Sequence, residues 1–184
     1  MRILRGSRAP PRGSSRPVRV LITGAAGQDG TILSTWLARD GADVVGVIKP
    51  GTDSTRLKAY VPDMAVVEVD LMNTDGLSEL VREVSPTHVY NFGGFTAPAE
   101  SWDREDEVRL TNVEPVRAIL SELSELRHAP RFFQASSSHI FEGTDRSPQD
   151  ESFELSPASP YARSKAEALR LVRHFREDRG LFAI

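Results

Sequence analysis

Tyr161 and Lys165 stand four residues apart in the segment Tyr-Ala-Arg-Ser-Lys. On a helix this spacing puts both side chains on one face, with about 5–6 Å between their Cβ atoms. A phenol ionises near pH 10, roughly, and is a poor base at neutrality. A lysine ammonium beside it favours the phenolate and brings it within range for proton transfer. Upstream, Ser136-Ser137-Ser138 offers a hydroxyl that could hold the oxygen gaining or losing that proton. The chemistry suggested is proton exchange with an alcohol or a carbonyl. A Tyr-x-x-x-Lys pair is common by itself, so its weight depends on what precedes it.

A second constellation, Thr23-Gly24-Ala25-Ala26-Gly27-Gln28-Asp29-Gly30, follows a β-branched run at residues 18–22 and opens a helical pattern over residues 30–40. Gly24, Gly27 and Gly30 are spaced G-x-x-G-x-x-G. Glycine tolerates the tight turn, the missing Cβ lets backbone approach a pyrophosphate, and the helix N-terminus offers free N–H groups to it. The strand–turn–helix context turns a weak motif into a dinucleotide site. A site that prefers NAD usually ends its second strand with an acid that holds the ribose 2′-hydroxyl. Here Lys49 occupies that place and Arg56 follows, so the expected cofactor is NADP, with NAD as the alternative. A nicotinamide ring, positive when oxidised, would further favour the Tyr161 phenolate.

Strand signals recur at residues 18–22, 44–48, 65–69, 88–92 and 131–135, and a sixth begins at residues 181–184. Helical patterns fill residues 30–40, 75–84, 106–126 and 160–178. Such alternation predicts an α/β Rossmann-type, doubly wound parallel sheet over residues 18–184. Residues 1–17 carry five arginines and no acid among Gly, Ser and Pro, and read as a disordered tail. The chain has no cysteine, which excludes disulfides and thiolate chemistry and fits a reducing, cytoplasmic setting. A net charge of −3 without a basic patch gives no reason to expect nucleic acid, and no apolar run suits a membrane span. His88, His128 and His174 are scattered and suggest no metal site, while Trp36 and Trp102 read as packing residues. The acidic residues 103–107 read as a helix N-terminus.

With these motifs in this order, the chain resembles the extended short-chain dehydrogenases/reductases, and among them the GDP-mannose 4,6-dehydratase branch. The carrying segments are TGAAGQDG at 23–30, YNFGG at 90–94, QASSSHIFEG at 134–143, SPQDES at 147–152, PASPYARSKAEA at 157–168 and RGLFA at 179–183. The resemblance implies transient oxidation of a sugar-nucleotide C4 hydroxyl, GDP-mannose in this branch, followed by loss of water across C5 and C6. Tyr161 would be the base, Lys165 would favour its phenolate and hold the nicotinamide ribose, and Ser137 would bind the C4 oxygen. Asp70 and Leu71 would lie by the adenine, while Asn91, Phe92 and Gly93 would make room for the cofactor. The family's elimination glutamate aligns with His139, which becomes a candidate substituted acid/base, and Glu142 stands as an extra residue before Gly143.

Family members are longer, and their sugar- and base-binding part lies mostly after the sixth strand, so that part is expected to be missing here. The resemblance also implies a homodimer, or a larger assembly, built by pairing helices 106–126 and 160–178, or else a completing subunit. A cofactor-holding partner without turnover remains an alternative, as does an NDP-sugar epimerase or a 4-keto reductase, the last needing only the serine, tyrosine and lysine.

Overall fold

In the computed structural model, which describes residues 18–184, strand and helix alternate from the first residue of the domain. The predicted tail at residues 1–17 lies outside the described residues. In chain order come β1 (Arg19–Thr23), α1 (Gln28–Arg39), β2 (Asp43–Ile48), α2 (Thr55–Tyr60), β3 (Ala65–Glu68) and α3 (Thr74–Val84). These are followed by β4 (His88–Asn91), α4 (Glu105–Asn112), α5 (Glu114–Ser124), β5 (Arg131–Gln134), α6 (Pro160–Arg179) and β6 (Phe182–Ala183). All strand pairs are parallel, in the order β3-β2-β1-β4-β5-β6. The order reverses between β1 and β4, and the carboxyl ends there open the crevice in which doubly wound sheets bind ligands.

Buried strands need apolar residues on both faces. Leu21, Val45, Val89 and Phe132 lie beneath Leu80 of α3, Ile119 of α5 and Val172 of α6. On the other face Val20, Ile22, Val44 and Ile48 join Leu57 of α2, and α1 packs on β1 and β2. That second face continues across β4 and β5 with Tyr90, Phe92 and Phe133, whose ring centroids are 5.9–6.3 Å apart. These three rings are only half-buried, and Phe182 of β6, on the same face, is 52% exposed.

Two differences from the sequence expectation have physical causes. The helix expected over residues 106–126 is divided into α4 and α5, with Val113 at the joint (φ −111°, ψ −53°). Pro115 has no N–H for the carbonyl one turn back, and its ring crowds that turn, so one helix ends and the next begins. The six-residue α2 was not expected, because a single buried residue, Leu57, gives no readable periodicity. No helix among the described residues is long and apolar enough to cross a membrane.

Candidate active site

The glycine turn is built by backbone contact. Gly24 has φ +66°, in the left-handed region, and a Cβ there would stand 2.8 Å from the Gly93 nitrogen. At Gly30 a Cβ would run into the Gly24 carbonyl and lie 2.7 Å from the Ala25 Cα, so α1 is seated directly on the turn. Gly27 precedes α1 in extended conformation with no capping side chain, and the exposed Gln28 and Asp29 begin the helix. The first N–H groups of α1 therefore remain available to an anion. Gly93 lies against the same turn: a Cβ there would be 2.8 Å from the Leu71 Cδ1 and 3.0 Å from the Thr23 Oγ1. A cradle that side chains would fill fits the pyrophosphate of a dinucleotide.

Around this cradle the expected cofactor residues divide. Leu71 covers Gly93, while Asp70 shapes the turn after β3 by accepting from the Met72 amide at 2.9 Å. Arg56 reaches back over the turn, its guanidinium 3.5 Å from the Ala26 carbonyl. Lys49 is also felt elsewhere: the hydrogen bond from Arg104 holds the Glu107 carboxyl below the usual range, and Lys49 adds to that effect.

Behind the crevice runs a buried polar row. The Gly93 amide donates to Thr23 Oγ1 at 3.0 Å, and the Thr23 hydroxyl donates to Asn91 Oδ1. The Asn91 amide donates to Gln134 Oε1 at 2.8 Å, and the Gln134 amide donates to the Ala135 carbonyl at 3.0 Å. That carbonyl also accepts from Lys165 Nζ at 3.3 Å. The row ties the glycine turn to the lysine across the ends of β1, β4 and β5. Thr23 and Gln134 were missed in the sequence, where their signal is a polar residue closing an otherwise apolar strand.

Ser159 caps α6 by accepting from the Ala162 amide at 3.2 Å, and Pro160 opens the helix, so Tyr161 and Lys165 lie on its first turns. Tyr161 is 8% exposed and packs with Phe95 and Val108. Lys165 Nζ lies 5.8 Å from the centre of the Tyr161 ring. Burial pushes the Lys165 ammonium below its ordinary pKa. Asn112, also missed, fastens this region. Its Oδ1 accepts from the Phe95 amide at 2.7 Å, and its Nδ2 donates to Ser164 Oγ at 2.9 Å.

After β5, Ser137 is extended, and its Oγ accepts from the His139 amide at 3.3 Å, starting the short turn Ser138–Phe141. The His139 ring meets the Tyr161 ring edge-on at 5.5 Å between centroids. His139 Nδ1 lies 2.8 Å from Glu142 Oε2, and Glu142 Oε1 accepts from the Ser159 amide at 2.5 Å. Burial would raise the Glu142 carboxyl, but the hydrogen bonds from Ser159 and His139 prevail and hold its pKa at about 2. The structure thus gathers His139, Tyr161 and Lys165 at one end of the crevice and the glycine turn at the other.

Comparison with known proteins gives the family and the fold. The family model described as GDP-mannose 4,6 dehydratase matches residues 21–184. The chain belongs to the GDP-mannose 4,6-dehydratase family. A GDP-mannose 4,6-dehydratase of Yersinia enterocolitica is 31% identical over 181 residues, covering 90% of this chain and 47% of that protein. The human GDP-mannose 4,6 dehydratase is 31% identical over 98% of this chain and 51% of its own length. The chain therefore spans about half the length of the curated relatives it matches. Among solved structures, UDP-glucose 4-epimerase from Thermotoga maritima superposes with TM-score 0.80 at 18% identity, over 89% of this chain and 52% of that one. UDP-glucose 4-epimerase from Brucella ovis, solved in complex with NAD, gives TM-score 0.77 at 23% identity over 89% and 49%. These likenesses show the fold of the GDP-mannose 4,6-dehydratase family member described here. The family match takes in the glycine turn, the polar row and the Tyr161–Lys165 pair.

Proposed function

We propose that the chain binds NADP, or NAD less tightly, and acts on a nucleotide sugar in the manner of a GDP-mannose 4,6-dehydratase. The observation that carries this reading is the buried row joining the glycine turn to Lys165, because it sets a dinucleotide cradle and a proton-transfer pair at fixed separation. Gly24, Gly27 and Gly30 with the start of α1 would hold the pyrophosphate, Asp70 and Leu71 the adenine side, and Asn91, Phe92 and Gly93 the floor. Arg56 and Lys49 supply the positive charge that favours a 2′-phosphate. When bound, the nicotinamide supplies reversible hydride transfer at the sugar C4.

In this reading Ser137 Oγ binds the C4 oxygen and Tyr161 Oη takes the hydroxyl proton as C4 is oxidised. Lys165 favours the Tyr161 phenolate and holds the nicotinamide ribose. His139 serves the elimination that follows. A second reading, a 4-keto reductase, is favoured by the imidazole at position 139, because reduction needs only Ser137, Tyr161 and Lys165. The homodimer implied by the resemblance belongs to the same proposal, with α4, α5 and α6 as its surface, as does a completing subunit.

Native mass spectrometry of the purified chain, then incubation with GDP-mannose and NADP, tests the proposal. A bound NADP mass and loss of water from the sugar nucleotide are expected. No cofactor bound at micromolar concentration would overturn the reading, and NAD bound more tightly than NADP would overturn the assignment of Arg56 and Lys49. Bound cofactor without any product would instead support a partner without turnover.

A further inference from the structure

We propose that His139 and Glu142 form a carboxylate–imidazole dyad that moves a proton at the carbon next to the reacting hydroxyl, with Glu142 as its positioning residue. The inference rests on the preceding reading, in which Tyr161 handles the hydroxyl proton. His139 Nδ1 lies 2.8 Å from Glu142 Oε2. An ionised carboxylate only accepts, so Nδ1 carries the hydrogen, and in the neutral ring the lone pair is then on Nε2. The His139 side chain is 44% exposed, so the imidazole is within reach of solvent rather than sealed in the core.

The same carboxylate reaches a second element. Glu142 Oε1 accepts from the amide of Ser159, the residue that caps α6 two positions before Tyr161. One side chain therefore fixes the imidazole relative to the helix that carries the phenol, and the two rings meet edge-on at 5.5 Å. A substrate with its hydroxyl at Tyr161 would therefore lie beside the His139 ring.

Oxidation of that hydroxyl to a ketone acidifies the hydrogen on the adjacent carbon. Nε2 takes this proton, and the C–H electron pair becomes the carbon–carbon double bond of the enolate. Where the next carbon bears a hydroxyl, collapse of the enolate expels it, and the imidazolium returns its proton so that water leaves. The imidazole ends as it began, and this step has no net oxidation or reduction. Glu142 stabilises the imidazolium between the two transfers.

Two measurements on the full chain test the dyad. In cofactor-free protein labelled with nitrogen-15 histidine, the His139 resonances should show hydrogen on Nδ1 and none on Nε2, and Glu142→Ala should shift that balance. Hydrogen on Nε2 in the parent protein, or spectra unchanged by Glu142→Ala, overturns the proposal. In deuterated water with GDP-mannose and NADP, His139→Ala should lower deuterium entry at the adjacent carbon by about 100-fold or more, far beyond its effect on nicotinamide reduction. Glu142→Gln keeps an acceptor for the Ser159 amide, guarding the fold, and should lower the same exchange about 10- to 100-fold. Undiminished exchange in both variants overturns the dyad and spares the proposed function. No nicotinamide reduction in the parent protein overturns the function, and this step with it.

Discussion

Position 24 excludes a side chain for two independent reasons, the positive φ and the Gly93 nitrogen 2.8 Å from where a Cβ would stand. Gly24→Ala should therefore destabilise the fold by about 1–3 kcal/mol in urea titration, in addition to weakening dinucleotide binding. Lys165 presents the opposite case. Its folded-state pKa lies below 10.5 because it is buried, so the folded protein bears a penalty that is complete below that lowered value and fades as pH rises toward 10.5. Lys165→Met should be more stable than the parent at neutral pH, with the gap closing in alkali, while hydride transfer is lost. Glu142 has a depressed pKa, so its stabilisation is present above pH 4.5 and disappears as pH falls to about 2. The stability difference between the parent and Glu142→Gln should vanish over that acid window in chemical denaturation. Tyr161, Lys165 and the glycines were legible in the sequence because four-residue and three-residue spacings act locally. Thr23, Gln134 and Asn112 were not, since each finds its partner on a distant segment, 68 residues away for Thr23 and Asn91.

Among the elements, the strands were readable because parallel strands buried on both faces require continuous apolar runs, as in Val44 to Ile48. The division between α4 and α5 was also written in the sequence, at Pro115, but the amphipathic pattern runs through it and hides the joint. That joint has a use. Asn112, the last residue of α4, is 3% exposed and ties the loop after β4 to α6 through Phe95 and Ser164. Asn112→Ala would leave a buried amide unpaired and should cost about 1–3 kcal/mol. It should also weaken substrate turnover more than cofactor binding, because the loosened segment lies beside Tyr161 rather than at the glycine turn. Separate titrations of cofactor affinity and turnover in that variant measure the difference.

At the scale of the molecule, the strand order was foreseeable from alternation and handed crossovers, and it places the crevice at the carboxyl ends of the neighbouring β1 and β4. The proposed pairing of copies rests on resemblance alone. Sedimentation should show a dimer at micromolar concentration, and a monomer there would count against α4–α6 as its surface. The aromatic face of β4 and β5 was invisible beforehand, since alternation tells which residues share a face but not whether a helix covers it. Tyr90, Phe92 and Phe133, half-buried, and Phe182, 52% exposed, form an aromatic ledge on one face of the sheet. A surface that packs on this ledge is held by water's aversion to carbon more than by charge. Its grip should accordingly tighten on warming toward body heat, resist added sodium chloride, and slacken in the cold room.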